Sequence, residues 1–283
     1  MTDRVVLWYG CNVLRHGDII HSCVALLKAV GIDATAVGGP AYCCGTSKDA
    51  NLAAAEGMAK RNVERLNRLS AAVGDGQVVT WCPSCHRHMD SFISQYNTPG
   101  FEVTHFAPLL HARRDRLAPL LAHRIERRVL LHRHVGFREV DVNPLVADLL
   151  RLVPGLAVVE DPWLAPGHMC SALAALPQVM RDVIGRTVAT VAEAKADDLV
   201  TVFHSCQRLL CGLAATESFR VVNWVTLLAQ SLGLAVEDGY GALKKAAFAG
   251  DAAAAVDEER LEKVGKAFFE RALVPELRSK PAR

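Results

Sequence analysis

The chain has 283 residues, 51% of them apolar and 22% charged, which fits two domains that each bury a core and does not fit a disordered chain. Its net charge of +2, without a basic stripe carrying interleaved aromatics, gives no electrostatic case for nucleic acid. No apolar run reaches a membrane span, the first residues lack the charged-then-apolar layout of a signal peptide, and nine cysteines then point to metal or redox work in the cytoplasm rather than to a disulfide framework.

In chain order, the apolar run over 4–9 predicts a buried strand, and Gly10 allows the sharp turn that leaves Cys11 at its carboxyl end. Ile19, Cys23, Leu26, Leu27 and Val30 recur with helical period, so a helix is expected over 18–30, with Cys23 as a small core residue on its apolar face. A strand over 32–37 is broken by Gly38-Gly39-Pro40 just before Cys43 and Cys44. Gly45 then lets the chain leave that crowded pair and enter a long helix over 47–73. After the turn at Gly74-Asp75-Gly76 come a strand over 77–81 and a helix opened by Cys82-Pro83-Ser84-Cys85. Pro83 suits a first helical turn, and the helix amino end favours thiolate. His86, Arg87 and His88 follow, as a solvated basic face or as groups placed near the cysteines.

Five cysteines thus fall in three clusters, with 31 residues between Cys11 and Cys43 and 37 between Cys44 and Cys82. The spacing is too wide for a zinc finger and suits ligands at the carboxyl ends of neighbouring parallel strands. Adjacent cysteines strain a disulfide, and adjacent thiolates repel unless a cation neutralises them, as a metal cluster does. CxxC alone is a weak signal; joined to a Cys-Cys-Gly at this distance it is strong. The pattern C…CCG…CPxC resembles the cysteine-rich CCG domain of the heterodisulfide reductases and of their relatives in succinate, glycolate, glycerol-3-phosphate and lactate oxidation systems.

A basic, helical connector over 111–128 marks a boundary, giving domains over 1–125 and 126–283. Beyond it the chain repeats itself. Val79-Thr80-Trp81-Cys82-Pro83-Ser84-Cys85-His86-Arg87 aligns with Val200-Thr201-Val202-Phe203-His204-Ser205-Cys206-Gln207-Arg208, and Phe101-Glu102-Val103 with Phe219-Arg220-Val221. Met169-Cys170-Ser171 stands in the place of Cys43-Cys44-Gly45, and Val129 to His132 repeats the first strand. The second motif is eroded: it retains Cys170 and Cys206, with His132, His134, His168 and His204 close in sequence. Three readings stand for it: no metal; zinc through Cys170, Cys206, His134 and His204; or an unusual iron cluster completed by histidine. Cys211, five residues past Cys206, is rotated by about 140° on a helix and does not ligate the same ion. An amphipathic helix is expected over 257–273, packing on the core or on a partner.

The fold expected is therefore α/β: two pseudo-symmetric repeats, each a mostly parallel open sheet flanked by helices, with a C-terminal helix. The resemblance implies that Cys11, Cys43, Cys44, Cys82 and Cys85 are both the ligands of a non-cubane [4Fe-4S] cluster and the catalytic residues. It implies a redox subunit acting on a disulfide, a thiol or a protein-bound sulfur, working with a ferredoxin-like iron–sulfur subunit and a flavoprotein. The chain has no dinucleotide fingerprint of its own, so its electrons are expected to come from or go to another subunit. The rival readings are a zinc-containing structural or assembly subunit, and an electron-transfer subunit of a dehydrogenase serving quinone with at most peripheral membrane contact.

Overall fold

The computed structural model describes residues 3–46, 51–73 and 75–278. The start of the long helix at 47–50, the turn residue Gly74 and the last residues, 279–283, lie outside them.

Along the first repeat the elements are β1 (Asp3–Gly10), α1 (Gly17–Ala29), β2 (Ile32–Gly38), α2 (Leu52–Val73), β3 (Gln77–Thr80), α3 (Pro83–His88), β4 (Glu102–His105) and α4 (Phe106–His111). The second repeat gives β5 (Arg127–His132), α5 (Asn143–Leu150), β6 (Leu156–Glu160), α6 (Pro177–Glu193), β7 (Asp198–Thr201), α7 (His204–Leu210), β8 (Arg220–Asn223) and α8 (Trp224–Ser231), followed by α9 (Gly239–Phe248). The sheets have strand orders β2-β1-β3-β4 and β6-β5-β7-β8. The registered pairs of both are parallel. Two equivalent α/β repeats are thus present. In each, the order in which strands are added reverses at the central pair, β1/β3 or β5/β7, and that is where an open sheet leaves a crevice beyond its carboxyl ends.

The chain divides into two compact units. One runs to Glu126 and takes in Gly136–Leu156 and Trp224–Val236; the other comprises Arg127–Val135, Ala157–Asn223 and Glu237–Arg283. Within the first unit, Val5, Val6, Leu7 and Trp8 of β1 are all buried, as a strand covered on both faces requires. The long helix α2 turns Ala55, Ala59, Val63, Leu66, Ser70 and Val73 inward at spacings of three and four. Each fully buried Leu or Val contributes about 1.5–3 kcal/mol. That face meets Val6, Trp8, Val78, Met89 and Ile93, and the same apolar cluster contains Cys44, Cys82 and Cys85. Helices α5 and α8 come late in sequence but pack in this unit, α8 against α1 and α5 against α4. Trp224 of α8 stacks on Trp81 with centroids 5.8 Å apart, and Phe106 of α4 lies 5.4 Å from Trp81.

Two expected elements differ. The connector is broken into short turns, Arg114–Leu117 and then Ala118–Leu120, because Pro119 lacks the N–H that would continue a helix. The amphipathic helix over 257–273 stops at Val264, where Gly265 takes φ +85°, and shorter turns follow from Lys266 to Arg278. Among the described residues no helix is long and apolar enough to cross a membrane.

Candidate metal centres

The first site lies beyond the carboxyl ends of β1, β2 and β3. Cys11 follows the last residue of β1, Cys43 and Cys44 follow the turn after β2, and Cys82 caps the amino end of α3 with Cys85 in its first turn. Cys11 is half-buried; the other four are buried. Cys44 Sγ lies 3.6 Å from Cys85 Sγ. Thiol contacts continue in both directions, Cys85 to Cys82, Cys44 to Cys43 and Cys43 to Cys11, so all five sulfurs form one continuous string.

Local structure explains the convergence. The Trp8 indole N–H donates to the Tyr42 carbonyl at 2.8 Å and fixes the residue before the cysteine pair. Arg65 of α2 donates to the Ala41 carbonyl in the same turn. Gly10 has φ +83°, and a Cβ there would lie 3.3 Å from both Cys82 Cβ and Cys85 Sγ. Glycine therefore supplies both the left-handed backbone and the space beside the sulfurs. A Cβ at Gly45 would meet the Ala55 carbonyl oxygen at 2.7 Å, so the chain passes α2 only as glycine.

The electrostatics favour a cation. The Cys43 thiol and burial push Cys11 well up, and Cys44 is pushed up to about 12, first by its bond with Cys43. Cys85 is raised by hydrogen bonding with Cys44 and Cys82 and by desolvation. Cys82 is lowered, by the Cys85 thiol and then, against the cost of burial, by backbone N–H groups of Cys85 and Ser84. The protein alone therefore resists ionising Cys11, Cys44 and Cys85, and a bound cation reverses that resistance. Five converging cysteines offer more thiolates than the four that one tetrahedral ion takes.

Beside the cysteines, Thr80 donates its hydroxyl to the Thr104 carbonyl and takes Nδ1 of His86 at 3.0 Å. His105 accepts from the Ala107 N–H at Nδ1 and reaches the Trp81 carbonyl from Nε2 at 2.9 Å, a neutral tautomer. Burial, then the neighbouring His86, pushes its pKa down to about 3. Arg87 is exposed and pairs with Glu139 at 3.2 Å. Cys23 is buried on α1.

The second site occupies the equivalent crevice of the other sheet. His132 ends β5, His134 follows it, Cys170 begins a short 3-10 turn after β6, and Cys206 lies in α7. One ligand atom from each of the four lies within 4.8 Å of all the others. His132 Nε2 and His134 Nε2 stand 3.3 Å and 3.2 Å from Cys170 Sγ. Burial pulls His134 down, but the Cys206 thiolate and the Pro166 carbonyl raise it overall. Cys206 is lowered well below a normal thiol by Cys170, His134 and His132 against the cost of desolvation, while burial and Cys206 hold Cys170 high. The group thus joins His132, rather than His204, to His134, Cys170 and Cys206. His204 is buried at the start of α7, and His168 is half-buried. Cys211 directs its thiol to the Arg208 carbonyl at 3.5 Å. The sequence signal for His132 is the two-residue step to His134, which places both on one face of an extended segment.

Residues 5–90 match the family of cysteine-rich domains called CCG. No curated protein matches the chain. Among solved structures, allantoin racemase from Klebsiella pneumoniae is similar at 13% identity and a TM-score of 0.34, over 83% of this chain and 90% of that one. An aspartate racemase homologue from Pyrococcus horikoshii gives 11% identity and a TM-score of 0.30 over 82% and 97%. Glutamate racemase from Aquifex pyrophilus gives 14% and 0.28 over 83% and 84%. Likeness at this level bears on neither activity nor substrate.

Proposed function

With residues 5–90 forming a CCG cysteine-rich domain, we propose that this protein is the iron–sulfur redox subunit of a heterodisulfide-reductase-like complex. Its substrate in this reading is a disulfide, a thiol or a protein-bound sulfur. The observation that carries the reading is the single string of Cys11, Cys43, Cys44, Cys82 and Cys85, a donor set larger than the four thiolates of a cubane. When bound, a non-cubane [4Fe-4S] cluster supplies electrons and an iron able to take a substrate sulfur.

The chain's own residues supply the rest. The five cysteines hold the group, and backbone N–H groups at the start of α3 favour negative charge on Cys82. Trp8 fixes the turn that carries Cys43 and Cys44, and the buried apolar cluster encloses Cys44, Cys82 and Cys85. Cys11, the half-buried member, marks the side from which a substrate approaches. Reduction of a disulfide takes two electrons and two protons and yields two thiols. In the cell a ferredoxin-like subunit and a flavoprotein exchange those electrons.

The test uses full-length protein purified without oxygen, with reduced viologen as electron donor and a panel of low-molecular-weight and protein disulfides as acceptors. Disulfide-dependent viologen oxidation, lost in Cys11→Ser, is expected. Iron-loaded protein that reduces none of the panel would refute the redox reading and leave the metal-binding domain standing.

A further inference from the structure

The second site carries an inference that does not depend on the first. Strand register shows what stands in each crevice. Trp8 pairs with Thr80 in the first sheet, and His132 pairs with Thr201 in the second. Thr80 and Thr201 are equivalent, each placed two residues before the cap of the following helix, Cys82 or Phe203. His132 therefore holds the position of Trp8, and His134 holds that of Gly10. The position that glycine keeps open beside the sulfurs of the first site is filled by an imidazole in the second. Phe203, in the place of Cys82, lies against it with ring centroids 6.3 Å apart. An iron–sulfur cluster of the first kind has neither its ligands nor its space there.

What remains suits one ion. Thr187 gives its hydroxyl proton to the Val183 carbonyl at 2.8 Å, so the Nδ1–H of His132 donates to Thr187 Oγ1 at 3.5 Å. The Nδ1–H of His134 donates to the Pro166 carbonyl at 3.1 Å. Both rings are thereby fixed with the Nε2 lone pair aimed at Cys170, the arrangement that partners of metal-bound histidines impose. The Nε2–Sγ separations of 3.3 and 3.2 Å lie a few tenths of an ångström inside the ~3.5 Å nitrogen–sulfur edge of a tetrahedron whose bonds are about 2.0 Å to nitrogen and 2.3 Å to sulfur. The four residues are 0–4% exposed, so no position is left for water or substrate.

We propose that His132, His134, Cys170 and Cys206 hold a closed, structural zinc ion that ties the end of β5 to the segments following β6 and β7. Two thiolates neutralise the dication, so the centre is uncharged in its buried setting. Zinc has no redox chemistry, so the ion holds the fold and carries no electrons.

Zinc and iron are measured on the same full-length, anaerobically purified protein, with zinc-edge X-ray absorption on the wild type. About one equivalent of zinc is expected, with two sulfurs at ~2.3 Å and two nitrogens at ~2.0 Å. Cys170→Ser/Cys206→Ser and His132→Ala should lose zinc at unchanged iron, while His204→Ala keeps it. The wild-type spectrum decides the matter even if a variant does not fold. Zinc-free wild type, an oxygen-rich shell typical of an adventitious ion, or zinc retained by folded His132→Ala would each overturn the assignment. So would loss of about half the iron in the double variant.

Discussion

Trp8 and His132 occupy the same register position in two equivalent sheets, each beside the threonine that ends the next strand. In one sheet the position carries an indole that fixes the cysteine pair through the Tyr42 carbonyl. In the other it carries an imidazole facing Cys170, one of the two surviving cysteines. One substitution in the repeat thus changes a residue that supports a sulfur-rich site into a member of a mixed nitrogen and sulfur group.

Trp8→Phe tests the supporting role. It keeps an aromatic ring in the core but leaves the Tyr42 carbonyl without its donor, which costs about 1–3 kcal/mol when such a group is buried. Denaturant unfolding should shift by that amount, and a chelator should strip iron faster than from wild type. Unchanged stability and unchanged iron loss would show that the bond fixes nothing.

Gly10→Ala should be worse. An L-residue at φ +83° is strained by about 1–2 kcal/mol, and the new methyl meets Cys82 and Cys85 at 3.3 Å. Both lower stability and lower iron occupancy are expected in purified protein. A variant with full iron content would show that the space beside the sulfurs is not needed.

His105 sets a pH dependence. Its folded-state pKa of about 3 lies below the ~6.5 of an unfolded histidine. The unfolded chain therefore takes up a proton first as pH falls. The stability this contributes is present above about pH 6.5 and is lost on acidification toward pH 3, by at most ~1.4 kcal/mol per pH unit. Asn223 stands at the equivalent position and donates to the Thr201 carbonyl at 3.1 Å, so His105→Asn is the natural replacement. Unfolding free energies between pH 7 and 5 should fall less steeply in His105→Asn than in wild type; parallel slopes would contradict the assignment.

Strand and helix order were legible because β1 is a continuous apolar run and α1 and α2 keep a helical period. The repeat was legible because Thr-x-x-x-Ser-Cys recurs before α3 and α7. The first cysteine set was legible from Cys-Cys-Gly and Cys-Pro-Ser-Cys, since adjacent cysteines have few other uses. Proximity to Cys206 in sequence favours His204 over His132, whereas strand register decides which side chains share a crevice. The packing of 136–156 and 224–236 in the first unit was not legible, because apolar faces on α5 and α8 do not say which neighbour covers them. The break at Gly265 reflects one left-handed residue inside an otherwise helical pattern.

In the function proposed above, the first five cysteines, and none in the second repeat, hold iron. Iron and acid-labile sulfide are measured in anaerobically purified wild type, Cys44→Ser, Cys23→Ala and Cys170→Ser/Cys206→Ser. Cys44 is the variant of choice because its sulfur links the Cys43 side of the string to Cys85. A brown wild type with iron and sulfide in equal amounts is expected, with most of both lost in Cys44→Ser and neither lost in the other two. Full iron in Cys44→Ser, or an iron-free Cys23→Ala, would show that the ligand set is wrong.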